Sequence, residues 1–217
     1  FLKKLNFWSS SEKNYDKFGD VLKKVLTTKE QREEAIQSLE DLPPEHSVPQ
    51  LLKRFELIVE SGIQDEKEKS YCSSLIVKHG EQSKEYVKQY LQTKPRVSWI
   101  IKIAEKIFSP EEFLELLLNN LNPDMVEFDD NILERNIEIL LALKDISNTK
   151  IAEKVALFLK CKNDEVRLAA LECLETQAHD FAEARSIMVN LLKQPLTDDN
   201  SRFMGVVKTI TQKNNWQ

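Results

Sequence analysis

The chain has 217 residues, 41% apolar and 31% charged, with 31 basic against 36 acidic side chains and a net charge of −5. A single domain of this length buries roughly 70% of its unfolded surface, so no metal or disulfide staple is required. No run of 18 apolar residues is present, glycine (four) and proline (seven) are scarce for a turn-rich β-sandwich, and mild acidity disfavours a phosphate-backbone binder.

Residues 1–15 read as a separate N-terminal segment and 16–217 as one domain. The stretch Phe1-Leu-Lys-Lys-Leu-Asn-Phe-Trp8 is apolar and basic together, as residues beside a membrane anchor are. The preferred reading is a capping turn on the first helix. An anchor upstream of Phe1 would instead tether the domain, with Lys3 and Lys4 on the cytoplasmic side. Cys72, Cys161 and Cys173 are odd in number and lack a C-x-x-C spacing. They are read as free thiols in helix cores, in a reducing, cytoplasmic setting.

Apolar residues recur at helical spacing almost throughout, and no alternating run competes with them. Stripes follow Ile36, Leu39 and Leu42, then Leu51, Leu52, Phe55, Ile58 and Val59, then Ile132, Leu133, Ile137, Leu140, Leu141 and Leu143. Prolines and Asn, Asp, Ser or Thr caps punctuate the chain at short intervals, with Gly62 and Gly80 read as helix C-caps. The fold class expected is all-α, with about twelve helices of roughly 10 to 17 residues. One helix of each pair starts near Thr28, Asp65, Pro95, Asn131, Asn163 and Asp198, a step of about 34 residues. Hairpins repeated at that period cannot bury their apolar faces alone and must stack.

Four glycines cannot supply the tetratricopeptide pattern. The segment Asn163-Asp-Glu-Val-Arg-Leu-Ala-Ala-Leu-Glu-Cys-Leu174 instead resembles the second helix of a HEAT repeat. Asp164 and Arg167 match the polar pair of that motif; Val166, Ala169, Ala170 and Leu174 match its core. Related stretches run over 29–39 and 65–75, and weaker echoes begin at Arg96, Arg135 and Arg202, so the resemblance covers roughly residues 16 to 213. It implies a right-handed α-α superhelix, or solenoid, of about six hairpins. The recurring basic positions Arg32, Lys67, Arg96, Arg135, Arg167 and Arg202 are read as a structural ladder, each bridging to an acidic or carbonyl group of the adjacent repeat. A row of phosphate-gripping arginines is the weaker reading, because acids lie close by.

Catalytic and metal motifs are absent from the sequence. His46, His79 and His179 lie far apart, and Cys72 and His79 are about 10 Å apart along one helix, beyond reach of a nucleophile–base pair. No phosphate loop or G-x-S-x-G elbow occurs. No cofactor is expected. The feature that stands out is charge: residues 1–108 carry 19 basic and 17 acidic groups, net +2, and residues 109–217 carry 12 and 19, net −7. Between Glu111 and Glu134 lie eight acids and no base. Acids at a helix start explain part of this, and Asp124, Glu127, Asp129 and Asp130 lack the spacing of a calcium loop.

Trp99 falls in an apolar stripe and reads as core, while Trp8 and Trp216 are placed to cap repeat faces. The expected function is a non-enzymatic scaffold that binds a protein partner along a concave surface or at Glu127, Asp129, Asp130 and Glu134. The alternative on the same fold, a HEAT-like alkylpurine DNA glycosylase, is opposed by the negative charge and by Trp99 being followed by Ile100 where a paired-tryptophan motif ending in Asp is expected. Tubulin-binding HEAT arrays would need basic residues and a Trp on inter-helix loops, and no such set is found.

Overall fold

The computed structural model describes residues 15–193 and 200–216, and these are all-helical, with no strand among them. A helix over 15–23 (α1) is followed by α2 (Lys29–Glu40), α3 (Pro44–Leu52), α4 (Gly62–Lys78), α5 (Lys84–Thr93) and α6 (Ser98–Ile107). Then come α7 (Pro110–Asn119), α8 (Asp130–Leu143), α9 (Thr149–Ala156), α10 (Asp164–Asp180), α11 (Ala182–Leu191) and α12 (Ser201–Lys213). The even-numbered helices from α2 to α12 begin near the starts expected from sequence. Trp8, Asp198 and the N-terminal segment up to residue 14 lie outside the described residues.

Local chemistry sets most of these boundaries. Thr28 and Gln31 form a reciprocal capping box at α2, and Asn163 accepts from the amides of Glu165 and Val166 at α10. Gly80, just past the end of α4, has φ +54°, the left-handed conformation of a C-cap glycine. Gly62 is not such a cap. It is the first residue of α4, preceded by Ser61, whose hydroxyl accepts from the Gln64 amide. Nor do two of the apolar stripes run as the sequence suggests. After Leu52 the chain tightens into a 3-10 turn (Lys53–Glu56), which leaves Ile58 exposed. On α8 the buried positions are Arg135, Asn136, Ile139, Leu140 and Leu143, while Leu141 faces solvent.

By its internal contacts the chain divides into two compact units, one ending at Pro110 and one starting at Glu111. In the first, α2, α4 and α6 lie side by side, with α3 and α5 packed on them. In the second, α8 and α12 flank α10, with α9 and α11 covering it. Within each unit, α2–α6 and α8–α12 thus pack chiefly on their next and next-but-one neighbours. Surrounded by four helices, α10 buries Val166, Ala169, Ala170, Leu171, Cys173, Leu174, Gln177 and Ala178. Its small residues let the neighbouring axes approach closely, as ridge-into-groove packing demands.

The first unit is fastened by buried charge. Glu68 on α4 receives Arg32 from α2, with Nε to Oε2 at 2.8 Å and Nη2 to Oε1 at 3.0 Å. The same Oε2 accepts from Arg54 Nε at 2.8 Å, and Gln64 donates to Oε1 at 2.8 Å. Arg54, which is completely buried, also donates to Asp65 Oδ1 at 2.7 Å and to the Leu57 carbonyl at 2.9 Å. Asp65 in turn pairs with Lys69 at 2.6 Å, and Arg32 reaches the Thr27 carbonyl at 2.6 Å. Burial alone would raise the Glu68 carboxyl, but hydrogen bonds from Arg32, Gln64 and Arg54 outweigh it and hold the group below its usual range.

Breaking such a cluster costs far more than the cluster's net worth, because it strands buried charge. Glu68→Gln is expected to lower the unfolding free energy by about 3–5 kcal/mol in urea titrations, whereas Lys67→Gln, on the exposed face of the same helix, changes it by less than about 0.5 kcal/mol. Since the folded carboxyl lies below its unfolded value near 4.5, its stabilisation is complete above that pH and fades as the pH falls through the folded value. Glu68→Gln must therefore flatten the acid limb of the stability curve.

Candidate interaction surface

The acid-rich stretch found in the sequence runs over α7, the connection to α8 and the first turns of α8. The path of the connection is fixed by local bonds. Leu121 and Val126 are buried, Pro123–Met125 forms a 3-10 turn, and the buried amide of Asn136 on α8 clasps Asn122 from both sides. Asn136 Oδ1 accepts from the Asn122 amide at 2.9 Å, and its Nδ2 donates to the Asn122 carbonyl at 3.0 Å. Further along, Glu127 accepts from the Lys162 amide at 3.3 Å and pairs with its ammonium at 3.2 Å, tying the connection to the corner between α9 and α10. The amides of Phe128 and Asp129 both donate to the Met125 carbonyl.

This bracing leaves apolar side chains in water. Phe128 is 79% exposed, and Met125 and Leu157 are also exposed. Between them lies an open groove of about 360 Å³ lined by Pro123, Asp124, Glu127, Phe128, Leu157, Lys160 and Cys161.

The four acids read as a partner patch share this segment but have different local roles. Asp129 is the N-cap of α8, accepting from the amides of Asn131 at 2.8 Å and Ile132 at 3.4 Å. Glu127 is engaged by Lys162. Asp130 and Glu134 are exposed on the first turns of α8. Carboxylates at a helix N-terminus are favoured by about 0.3–1 kcal/mol each, so the charge cluster also serves the helix that follows it.

The basic positions read as a ladder divide in the same way. Arg32 reaches the next even-numbered helix through Glu68, and Arg167 does so through a ring, its guanidinium carbon 4.0 Å from the Phe203 centroid on α12. Asp164 pairs with Arg167 at 3.2 Å within α10. Arg135 is buried on α8, where burial pulls it below the usual guanidinium range against the opposing charge of Asp129. Lys67, Arg96 and Arg202 are exposed. Arg54 and Lys69, which form the charge cluster with Arg32, carry no repeat signal in the sequence; Arg54 enters from the 3-10 turn after α3 and Lys69 from α4.

One pair has the composition of a catalytic dyad: Ser47 Oγ lies 3.1 Å from His79 Nε2. Separated by 32 residues, it was invisible to motif reasoning. Ser47 is fully buried, so its oxygen cannot meet a substrate, and the contact instead joins α3 to the end of α4. Among the described residues no three His, Cys, Asp or Glu side chains converge to hold a metal ion, and no helix is long and apolar enough to cross a membrane. Trp99 is half-buried, with Lys102 over its ring at 4.8 Å, and Trp216 meets His179 edge-on at 5.4 Å. Cys72 and Cys173 are buried, and burial pushes both thiols up to about 12. Cys161 lies half-buried at the corner after α9 rather than in a helix core, its thiol also raised by burial.

An aromatic disulfide reagent is therefore expected to titrate Cys161 alone, and slowly, in the folded chain, with Cys72 and Cys173 reacting only on unfolding. For His79, burial and the neighbouring Lys78 depress protonation. The unfolded chain takes up the proton first, so this residue's contribution is intact above about pH 6.5 and declines as the pH falls below it. His79→Gln is expected to remove that decline from denaturant midpoints measured between about pH 7 and 5.5. Comparison with family models, with curated proteins and with solved structures returns no match for this chain.

Proposed function

We propose that this protein is a non-enzymatic interaction scaffold: a HEAT-like right-handed superhelix of about six helical hairpins that engages a protein partner along its concave side or at the acidic segment 124–134. Packing of α2–α6 and of α8–α12 on their next and next-but-one neighbours supports the repeat reading, as does the regular spacing of even-numbered helix starts. The observation that carries the functional reading is the braced α7–α8 connection. It holds acids and large apolar side chains in solvent. Charge of one sign on a fixed surface orients an oppositely charged partner and speeds its encounter.

The test is affinity capture from a cell extract with quantitative mass spectrometry. A protein recovered by the native chain is expected to fall at least about tenfold with the pair Asp130→Lys and Glu134→Lys. Asp129 is left in place in that variant, since losing the cap would cost about 1 kcal/mol of helix stability and blur the outcome. Reversal of an exposed acid elsewhere, Glu183→Lys on α11, is expected to leave recovery unchanged. Equal recovery by all three proteins would remove the acidic segment from the function.

A further inference from the structure

We infer that α1 is a strap poised to open: it lies closed along α3 and swings out about Lys24–Leu26 while the rest of the first unit stays folded. Opening uncovers a ready-made helix seat on α3, the stripe formed by His46, Gln50 and Lys53.

What holds α1 shut is mostly replaceable by water. The Tyr15 ring stacks on His46 with centroids 4.8 Å apart, and Asp16 Oδ1 accepts from Gln50 Nε2 at 2.9 Å. Lys53 Nζ sits 3.8 Å from Asp16 and 3.9 Å from Asp20, both open to solvent, so these pairs add little. Leu22 is the fully buried apolar side chain of α1, with Phe18 and Val21 half-buried.

Closure also carries a cost that nothing offsets. Gln50 is 8% exposed, and its Oε1 has no hydrogen-bond partner among the described residues. That oxygen is wedged against α1: a Cβ at Gly19 would fall on it and would lie 2.7 Å from Lys53 Cδ. A buried carbonyl without a donor forfeits its hydration and gains nothing in exchange, and departure of α1 returns it to water. The pivot is already in place. The Thr27 hydroxyl donates to the Lys24 carbonyl just past α1 at 2.7 Å, while the Thr27 carbonyl is held by Arg32. Between them Val25 is 77% and Leu26 96% exposed, so no packing has to break there. A segment held by few buried apolar contacts opens locally, below the free energy of global unfolding.

Hydrogen–deuterium exchange of the full chain, read by mass spectrometry on peptides covering 18–24, tests this. The α1 amides are expected to exchange at least about a hundredfold faster than those in the middle of α2 and α4, and to depend little on urea below the unfolding transition. Gly19→Leu needs the space that Gln50 and Lys53 fill. It is expected to speed α1 exchange at least about fivefold, even though leucine favours the helix itself. Gln50→Met removes the stranded oxygen and leaves the exposed Asp16 to water, so α1 exchange is expected to slow by about threefold or more.

Amides of α1 that exchange at the rates and urea slope of α2 and α4 overturn the inference, as does unchanged α1 protection in Gly19→Leu. A Gly19→Leu chain that speeds α2 and α4 equally, or that fails to fold, shows α1 to be part of the core and overturns it too. Unchanged or faster exchange in Gln50→Met does the same, since the closed state would then store no cost at that oxygen.

Discussion

A single carboxylate shared by two guanidiniums fixes the geometry of the first unit. Glu68 meets Arg32 from α2 and Arg54 from the turn after α3, so three successive elements are registered at one buried point. Other donors of the two guanidiniums find the Thr27 carbonyl just before α2, the Leu57 carbonyl just after the 3-10 turn, and Asp65. Such a cluster adds little net stability over an apolar core of the same shape. What it contributes is intolerance of misplacement, because any slip of α4 against α2 leaves charge without solvent.

The second unit uses a different device. With alanines and a cysteine on α10 packed under four neighbours, close approach rather than charge sets the helix spacing. Arg167 then closes against Phe203 with its flat face. Both arrangements set a basic residue between even-numbered helices, buried at Arg32 and half-buried at Arg167, yet the chemistry opposite it differs, and a periodic basic position in sequence cannot show which acceptor it will meet.

Helical character and the even-numbered starts were legible because caps, prolines and 3.6-residue periodicity are local signals. What escaped was set by contacts between distant segments. Buried Arg54, Lys69 and Asn136 score as surface residues in any hydropathy pattern, and only their partners at Glu68, Asp65 and Asn122 justify their burial. Gly62 was misplaced because a glycine after a polar pair reads equally as a stop or a start, and the Ser61 cap decides it. The acidic stretch was plain from composition. That it would be braced, with Phe128 held outward above a groove, depended on Asn136 and Lys162, respectively 14 and 35 residues away from their partners.

The two ways of seating a basic side chain carry different sensitivities to the medium. A carboxylate acceptor can be neutralised by a proton, while the face of a phenyl ring has no proton to gain. Acidification therefore withdraws the counter-charge that registers α2, α3 and α4, while the Phe203 face under Arg167 keeps its character. Of the two contacts, the one at Glu68 is the one a proton can undo.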